Sequence, residues 1–252
     1  MQNTRRNFLK TALVGGLSVS ALSNQAFGAM SPAASGKYTM PKGAVVLFQG
    51  DSITDWGRRK NDKNPNNSGA LGTGYAFLAA SELLNRLAGY DLKIYNRGIS
   101  GNKVYQLNER WQEDCIDMKP SVLSILIGVN DFWHKLEGKY DGTVEVYERD
   151  YRALLQRTFK ELPGVKLVIC EPFAITNTSA VNEKWFPEFD GYREAAFKMS
   201  KEFDSVFIPY QKLFDKACKL APGSYWSADG VHPSLAGAQL MSNAWMEYVL
   251  GK

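Results

Sequence analysis

Four short blocks of this 252-residue sequence carry side chains suited to nucleophilic chemistry. Gln49-Gly50-Asp51-Ser52-Ile53-Thr54 offers a serine, and Asn96-Arg97-Gly98-Ile99-Ser100-Gly101-Asn102 offers glycines whose amides can approach a ligand. Gly128-Val129-Asn130-Asp131 adds a side-chain amide, and Asp229-Gly230-Val231-His232-Pro233 adds an Asp/His pair. Each block alone has an ordinary explanation. Gly-Asp-Ser is turn and N-cap chemistry, Asn-Asp is equally an Asx turn, and Asp-x-x-His is short enough to recur by chance. Together they supply a nucleophile, oxyanion donors, a base and a group to orient it, which are the parts for acyl transfer. A second pair, Asp131 and His134, competes for the role of base. None of Cys115, Cys170 and Cys218 has a histidine near it in sequence, and Cys170, in an apolar run, reads as a small buried hydrophobe. The spacing leaves a disulfide between two of them open. Two histidines in the whole chain exclude a three-histidine zinc site, and neither metal nor cofactor is expected.

These blocks need a scaffold that brings them to one place. Five apolar runs, Ala44–Phe48, Leu92–Tyr95, Val122–Ile127, Lys166–Ile169 and Val206–Ile208, read as buried strands. Helical stretches alternate with them: Tyr75–Leu87, Val104–Met118, Val144–Leu162, Tyr192–Phe203 and Ser234–Leu250. The alternation predicts an α/β fold, a doubly wound parallel sheet with helices on both faces. In such a sheet ligands bind beyond the carboxyl ends of the strands. Three of the four blocks directly follow a predicted strand, and the fourth precedes the last helix. The polar stretch Arg58–Ser68 reads as a surface loop over the site. No linker, repeat or charge block divides residues 37–252, which read as one domain.

The chain begins MQNTRRNFLK, then runs through the small-residue apolar stretch Thr11–Leu22 to Ala26-Phe27-Gly28. That layout predicts a signal peptide over roughly residues 1–28, and the Arg5-Arg6 pair predicts the twin-arginine type, hence an exported, periplasmic or secreted bacterial protein. The apolar run is too short and glycine-broken for a spanning helix, so no stable membrane anchor is expected. The formal charge is +4, but without Arg5, Arg6 and Lys10 the balance is 27 basic against 26 acidic residues. That near-neutrality argues against a nucleic-acid partner. Association of identical copies is left open.

The blocks, in this order and over residues 44–250, resemble the SGNH hydrolases, the GDSL esterase and lipase family. The likeness is greatest to bacterial SGNH acetylxylan esterases, through Gly50–Asp55, Gly69–Tyr75, Asn96–Asn102, Arg110–Asp114, Ile127–Trp133 and Val231–Ser234. The resemblance implies a three-layer, flavodoxin-like α/β/α fold with a five-stranded sheet. It implies Ser52 as nucleophile, His232 as base and Asp229 as its orienter, with the amides of Ser52 and Gly101 and the Asn130 side chain as oxyanion donors. In this family Asn130 belongs to the oxyanion block, which counts against Asp131 and His134 as the base pair. The sequence has no Gly-x-Ser-x-Gly elbow of the larger α/β-hydrolase class. Trp56, Trp133, His134, Glu171 and Trp226 stand near strand ends or blocks as candidates for substrate contact, each with packing as the alternative. Asp51 reads as structural, bonding local amides. The implied substrate is a small-molecule or polysaccharide ester, first of all an O-acetyl group on xylan or xylo-oligosaccharides. A lysophospholipase or thioesterase needs an apolar trough beside Ser52, whereas its flanks are rich in Asn, Arg, Gly and Trp. A non-catalytic carbohydrate-binding protein is the third reading, against which every catalytic position carries the required residue.

Overall fold

The computed structural model describes residues 38–251, so the expected leader over residues 1–28 lies outside the described residues. In chain order the elements are β1 (Val45–Gly50), α1 (Ser52–Asp55), α2 (Ser68–Leu71), α3 (Tyr75–Arg86), β2 (Lys93–Asn96), α4 (Val104–Glu109), β3 (Val122–Leu126) and α5 (Val129–Leu136). There follow α6 (Val144–Glu161), β4 (Lys166–Cys170), α7 (Glu188–Glu202), β5 (Val206–Ile208), α8 (Tyr210–Ala217), α9 (Gly223–Trp226) and α10 (Leu235–Leu250). The five strands pair in parallel in the order β2-β1-β3-β4-β5. Their apolar side chains are buried because both faces are covered, α3 with α10 on one and α4, α6 and α7 on the other. Phe48 of β1 packs on Tyr75 of α3 and Trp245 of α10, tying the central strand to one helical layer. The chain leaves β1 for β2 on one side and reaches β3 on the other, so the crevice where ligands bind opens at the carboxyl ends of these three strands.

Several elements differ from the sequence expectation. The helix predicted over Val104–Met118 stops at Glu109 and resumes as a π-turn over Gln112–Ile116. The break serves a buried polar junction. Arg110 donates to Asn102 Oδ1 at 2.9 Å, to Gln49 Oε1 at 3.0 Å, to the Arg97 carbonyl at 2.8 Å and to Asp114 Oδ2 at 2.9 Å. Gln49 Nε2 in turn donates to the Asp114 carbonyl at 2.6 Å, so the widened turn is locked to the end of β1. The helices α5 and α8 were not anticipated; each has eight residues, too few for periodicity to stand out, although Tyr210, Phe214 and Ala217 mark the buried stripe of α8. Helix α7 starts a turn before the expected Tyr192, immediately after Pro187. The Arg58–Ser68 stretch, expected as a surface loop, is tied to the sheet. Its Asn66 caps the free edge of β2: its amide N donates to the Ile94 carbonyl, its Nδ2 to the Leu92 carbonyl, and its Oδ1 accepts from the Ile94 amide. The three cysteines are free thiols and form no disulfide; Cys115 and Cys170 are buried.

Candidate active site

Strand β1 runs straight to Gly50, and Asp51 then caps α1 through Oδ1, which accepts from the Ile53 amide at 3.0 Å. Ser52 therefore sits on the first residue of α1, at the carboxyl edge of the sheet. The loop after β2 presses on the back of this turn. A Cβ at Gly98 would lie 2.5 Å from the Asp55 amide, so only glycine allows that approach. Asn96 Nδ2 donates to the carbonyls of Thr54 and Leu71, and Asp55 Oδ2 accepts from the Ser100 amide and hydroxyl. These contacts fix the two blocks to one another.

The loop before α10 brings the second half of the site. Ser52 Oγ lies 2.7 Å from His232 Nε2, and His232 Nδ1 lies 2.6 Å from Asp229 Oδ2, across 180 residues of chain. The other carboxylate oxygen, Oδ1, accepts from the amides of Val231 at 2.9 Å and His232 at 2.7 Å. Ser227 Oγ stands 3.1 Å from that same oxygen and 2.8 Å from the His232 carbonyl, and it accepts from the Gly230 amide. Partial burial pushes the Asp229 carboxyl up, but the bonds from the His232 ring and the two amides outweigh it and hold the group well below the usual carboxylate range. The hydrogen bond to Asp229 raises the His232 pKa against the lowering effect of burial. A carboxylate that stays ionised fixes the imidazole proton on Nδ1, which leaves the Nε2 lone pair facing the Ser52 hydroxyl.

The three donors expected for an oxyanion each keep a proton free among the described residues. Gly101 has φ +80°, a left-handed conformation that glycine accepts without strain. Neither its amide nor that of Ser52 is spent on a protein acceptor among the described residues. Asn130, in the first turn of α5, donates one Nδ2 proton to the Asn102 carbonyl at 3.3 Å, leaving the second proton unspent.

The competing pair is not brought together. Asp131 Oδ1 accepts from the Val104 amide and so caps α4, whereas His134 Nδ1 lies 3.1 Å from Lys103 Nζ. Complete burial pushes the Asp51 and Asp131 carboxyls up to about 7. Among the substrate candidates, Glu171 is buried and its carboxylate is spent on Arg193 and the Gln211 amide, each at 3.0 Å. The Trp226 indole N–H is likewise used, by the carbonyls of Ala217 and Ala221. Trp133 stays half-buried against Trp185, with ring centroids 5.4 Å apart. Trp56 lies beside His232, with ring centroids 5.9 Å apart. It ends α1 in the left-handed region, φ 34° and ψ 53°, a strained conformation for so bulky a residue. Sequence reasoning missed Ser227, Asn96, Asp55, Arg110 and Lys103. Each lies at the end of a strand or short helix, where a polar residue is commonplace and does not say what it binds.

Comparison with known proteins identifies the family. The model of the GDSL-like Lipase/Acylhydrolase family matches residues 48–240. An acetylxylan esterase of Geobacillus stearothermophilus is 33% identical over 209 residues, which is 82% of this chain and 94% of that protein. A solved structure from Parabacteroides merdae, described as a GDSL-like lipase, superposes with a TM-score of 0.84 at 54% identity and covers 85% of this chain and 99% of the other. The crystal structure of the Geobacillus acetylxylan esterase gives a TM-score of 0.74 at 30% identity, over 83% of this chain and 95% of its own. The fold is the SGNH hydrolase fold expected from the sequence. The chain belongs to the GDSL-like lipase and acylhydrolase family and is a carboxylic ester hydrolase.

Proposed function

We propose that this esterase removes O-acetyl groups from carbohydrate, xylan or xylo-oligosaccharides first among them, through an acetyl-enzyme on Ser52. The observation that carries the mechanism is the unbroken chain of contacts from Ser52 Oγ through His232 to Asp229, at 2.7 and 2.6 Å. His232 takes the serine proton as Oγ attacks the acetyl carbonyl carbon. The negative charge then falls on the carbonyl oxygen, where the Ser52 and Gly101 amides and the free proton of Asn130 Nδ2 receive it. On collapse the bond to the sugar oxygen breaks, and the imidazolium returns its proton to that oxygen. Water, deprotonated by the same histidine, attacks the acetyl-serine; on collapse the bond to Ser52 Oγ breaks, the imidazolium returns its proton to that oxygen, and acetate leaves. Solved variants of the Geobacillus enzyme described as catalytic mutants replace a serine, an aspartate and a histidine, the last two three positions apart as Asp229 and His232 are here.

An acetyl group is small, so selectivity has to come from the alcohol side, where groups that bond sugar hydroxyls discriminate better than an apolar slot. Trp56 beside His232 and Trp133 midway along α5 are the surfaces offered to a sugar ring. The deciding assay measures acetate released from acetylated xylan and xylo-oligosaccharides beside a chain-length series of nitrophenyl esters. Acetate preference and turnover of the glycans support the reading; faster cleavage of long acyl chains or of a lysophospholipid overturns it.

Export completes the proposal, with residues 1–28 as a twin-arginine leader and 37–252 as the secreted hydrolase. Changing Arg5 and Arg6 to lysine should strand the precursor in the cytoplasm, and undiminished export would refute that route. Among the described residues no helix is long and apolar enough to cross a membrane.

A further inference from the structure

Asn130 and His134 are one turn apart on α5 and share one side of it, about 6 Å along the axis at the usual rise per residue. The loop after β2 keeps step with them. The Asn102 carbonyl accepts from Asn130, and the next side chain, Lys103, brings Nζ to 3.1 Å from His134 Nδ1. A polar row therefore leads outward from the oxyanion donors. Lysine has only protons to give, so His134 Nδ1 accepts and its ring proton lies on Nε2. Burial and the Lys103 charge both lower the His134 pKa, which keeps this ring neutral and Nε2–H a donor.

The ammonium of Lys103 lies 5.5 Å from the Tyr105 ring centroid and 5.4 Å from that of Tyr140. Those two rings are 5.4 Å apart and inclined by 33°, with Tyr105 exposed and Tyr140 half-exposed. Lys103 itself is only 7% exposed, yet among the described residues it forms no ion pair. The acids that influence it are Asp131, whose carboxyl is committed to capping α4, and Glu109. A cation withdrawn from water without a counter-charge costs free energy, and two ring faces recover only part of it. A carboxylate arriving from a ligand would complete the pair.

We propose that Lys103, His134, Tyr105 and Tyr140 form a subsite for a uronic acid residue of an acetylated glycan. This inference rests on the carbohydrate acetylesterase reading and narrows it to acidic glycans. One ammonium and one imidazole N–H match a single carboxylate, and the tyrosine faces match the ring that carries it. A group bound one helical turn from Asn130 and an ester at Ser52 belong to one substrate molecule.

The test compares two acetylated xylo-oligosaccharides of equal length, one bearing a glucuronic acid branch and one neutral. The acidic substrate should show a kcat/KM about tenfold higher, expressed in KM, as expected for a charge-assisted hydrogen bond. Added sodium chloride should erode that preference in the wild-type enzyme while leaving the neutral substrate less affected. Lys103→Met should bring the ratio of the two substrates close to one, and Lys103→Arg should restore most of it. A wild-type ratio near one, or a preference indifferent to salt, overturns the subsite even if Lys103→Met fails to fold. An unchanged ratio in folded Lys103→Met does the same. Failure to deacetylate either oligosaccharide, with nitrophenyl acetate still hydrolysed, overturns the carbohydrate reading and this inference with it.

Discussion

Asp229→Asn is the substitution that separates orientation from packing at this site. Asparagine has the same shape, and its oxygen can still accept from the Val231 and His232 amides now bonded to Oδ1. Its NH2 then stands where Oδ2 does, 2.6 Å from His232 Nδ1. Two donors cannot face one another, so Nδ1 gives up its proton and the imidazole carries it on Nε2, toward Ser52 Oγ at 2.7 Å. In that tautomer the ring donates to the serine instead of accepting from it. The imidazolium formed during attack also loses its counter-charge. Where a triad aspartate is changed this way with geometry intact, turnover falls about 10⁴-fold, equivalent to about 5.4 kcal/mol in the barrier. The acid limb of the pH profile should move as well. His232 works only when neutral, and Asp229 raises its pKa, so wild-type activity is lost as pH falls through a value above the ordinary histidine one. Without the carboxylate that limb shifts to lower pH. Steady-state hydrolysis of nitrophenyl acetate across pH, with circular dichroism to confirm folding, reads both effects. A loss under tenfold with an unmoved limb would refute the orienting role of Asp229.

Asn130→Ala removes one of the three proposed oxyanion donors and should lower kcat by about 10²- to 10³-fold with little change in KM; a loss below threefold would place the hole elsewhere. His232→Ala should all but abolish turnover, whereas His134→Ala, which loses only its contact to Lys103, should keep most activity on nitrophenyl acetate; the reverse ranking would contradict the assignment of the base. Asp131→Asn should gain stability over wild type as pH rises. The buried carboxyl is raised from 3.8 to about 7, so the native state holds a proton that the unfolded chain has released, and wild-type stability drains away up to that value. Between about pH 5 and pH 8 the difference should grow by about 2 to 3 kcal/mol in urea unfolding, and a pH-independent difference would mean the group ionises normally.

The strands were legible because each is a short run of Val, Ile and Leu between turn residues, and a parallel sheet covered on both faces needs that composition. Their boundaries moved by at most two positions, and those of β5 not at all; β1 reaches Gly50 because the strand ends only where the Asp51 cap begins. Ser52, His232 and Asp229, read from blocks far apart in sequence, are linked in series at hydrogen-bond distance in the fold, because weak blocks at one sheet edge constrain one another. Helices α5 and α8 were hidden by their length. Glu171 and Trp226 were misleading for a different reason: the residues that satisfy them, Arg193, Gln211, Ala217 and Ala221, become neighbours through packing that local sequence does not display. The Lys103 and His134 contact was equally invisible, because it joins the N-cap of α4 to α5 across 31 residues.

Trapping the covalent intermediate tests the central claim most directly. The enzyme is mixed with an acetyl ester, quenched in acid during the first turnovers, digested, and weighed peptide by peptide. An acyl-enzyme mechanism predicts one acetyl group on the peptide containing Ser52, localised by fragmentation to its hydroxyl, and none on that peptide in His232→Ala treated identically. Acetyl on another residue, or burst release of product with Ser52 unmodified, would contradict it.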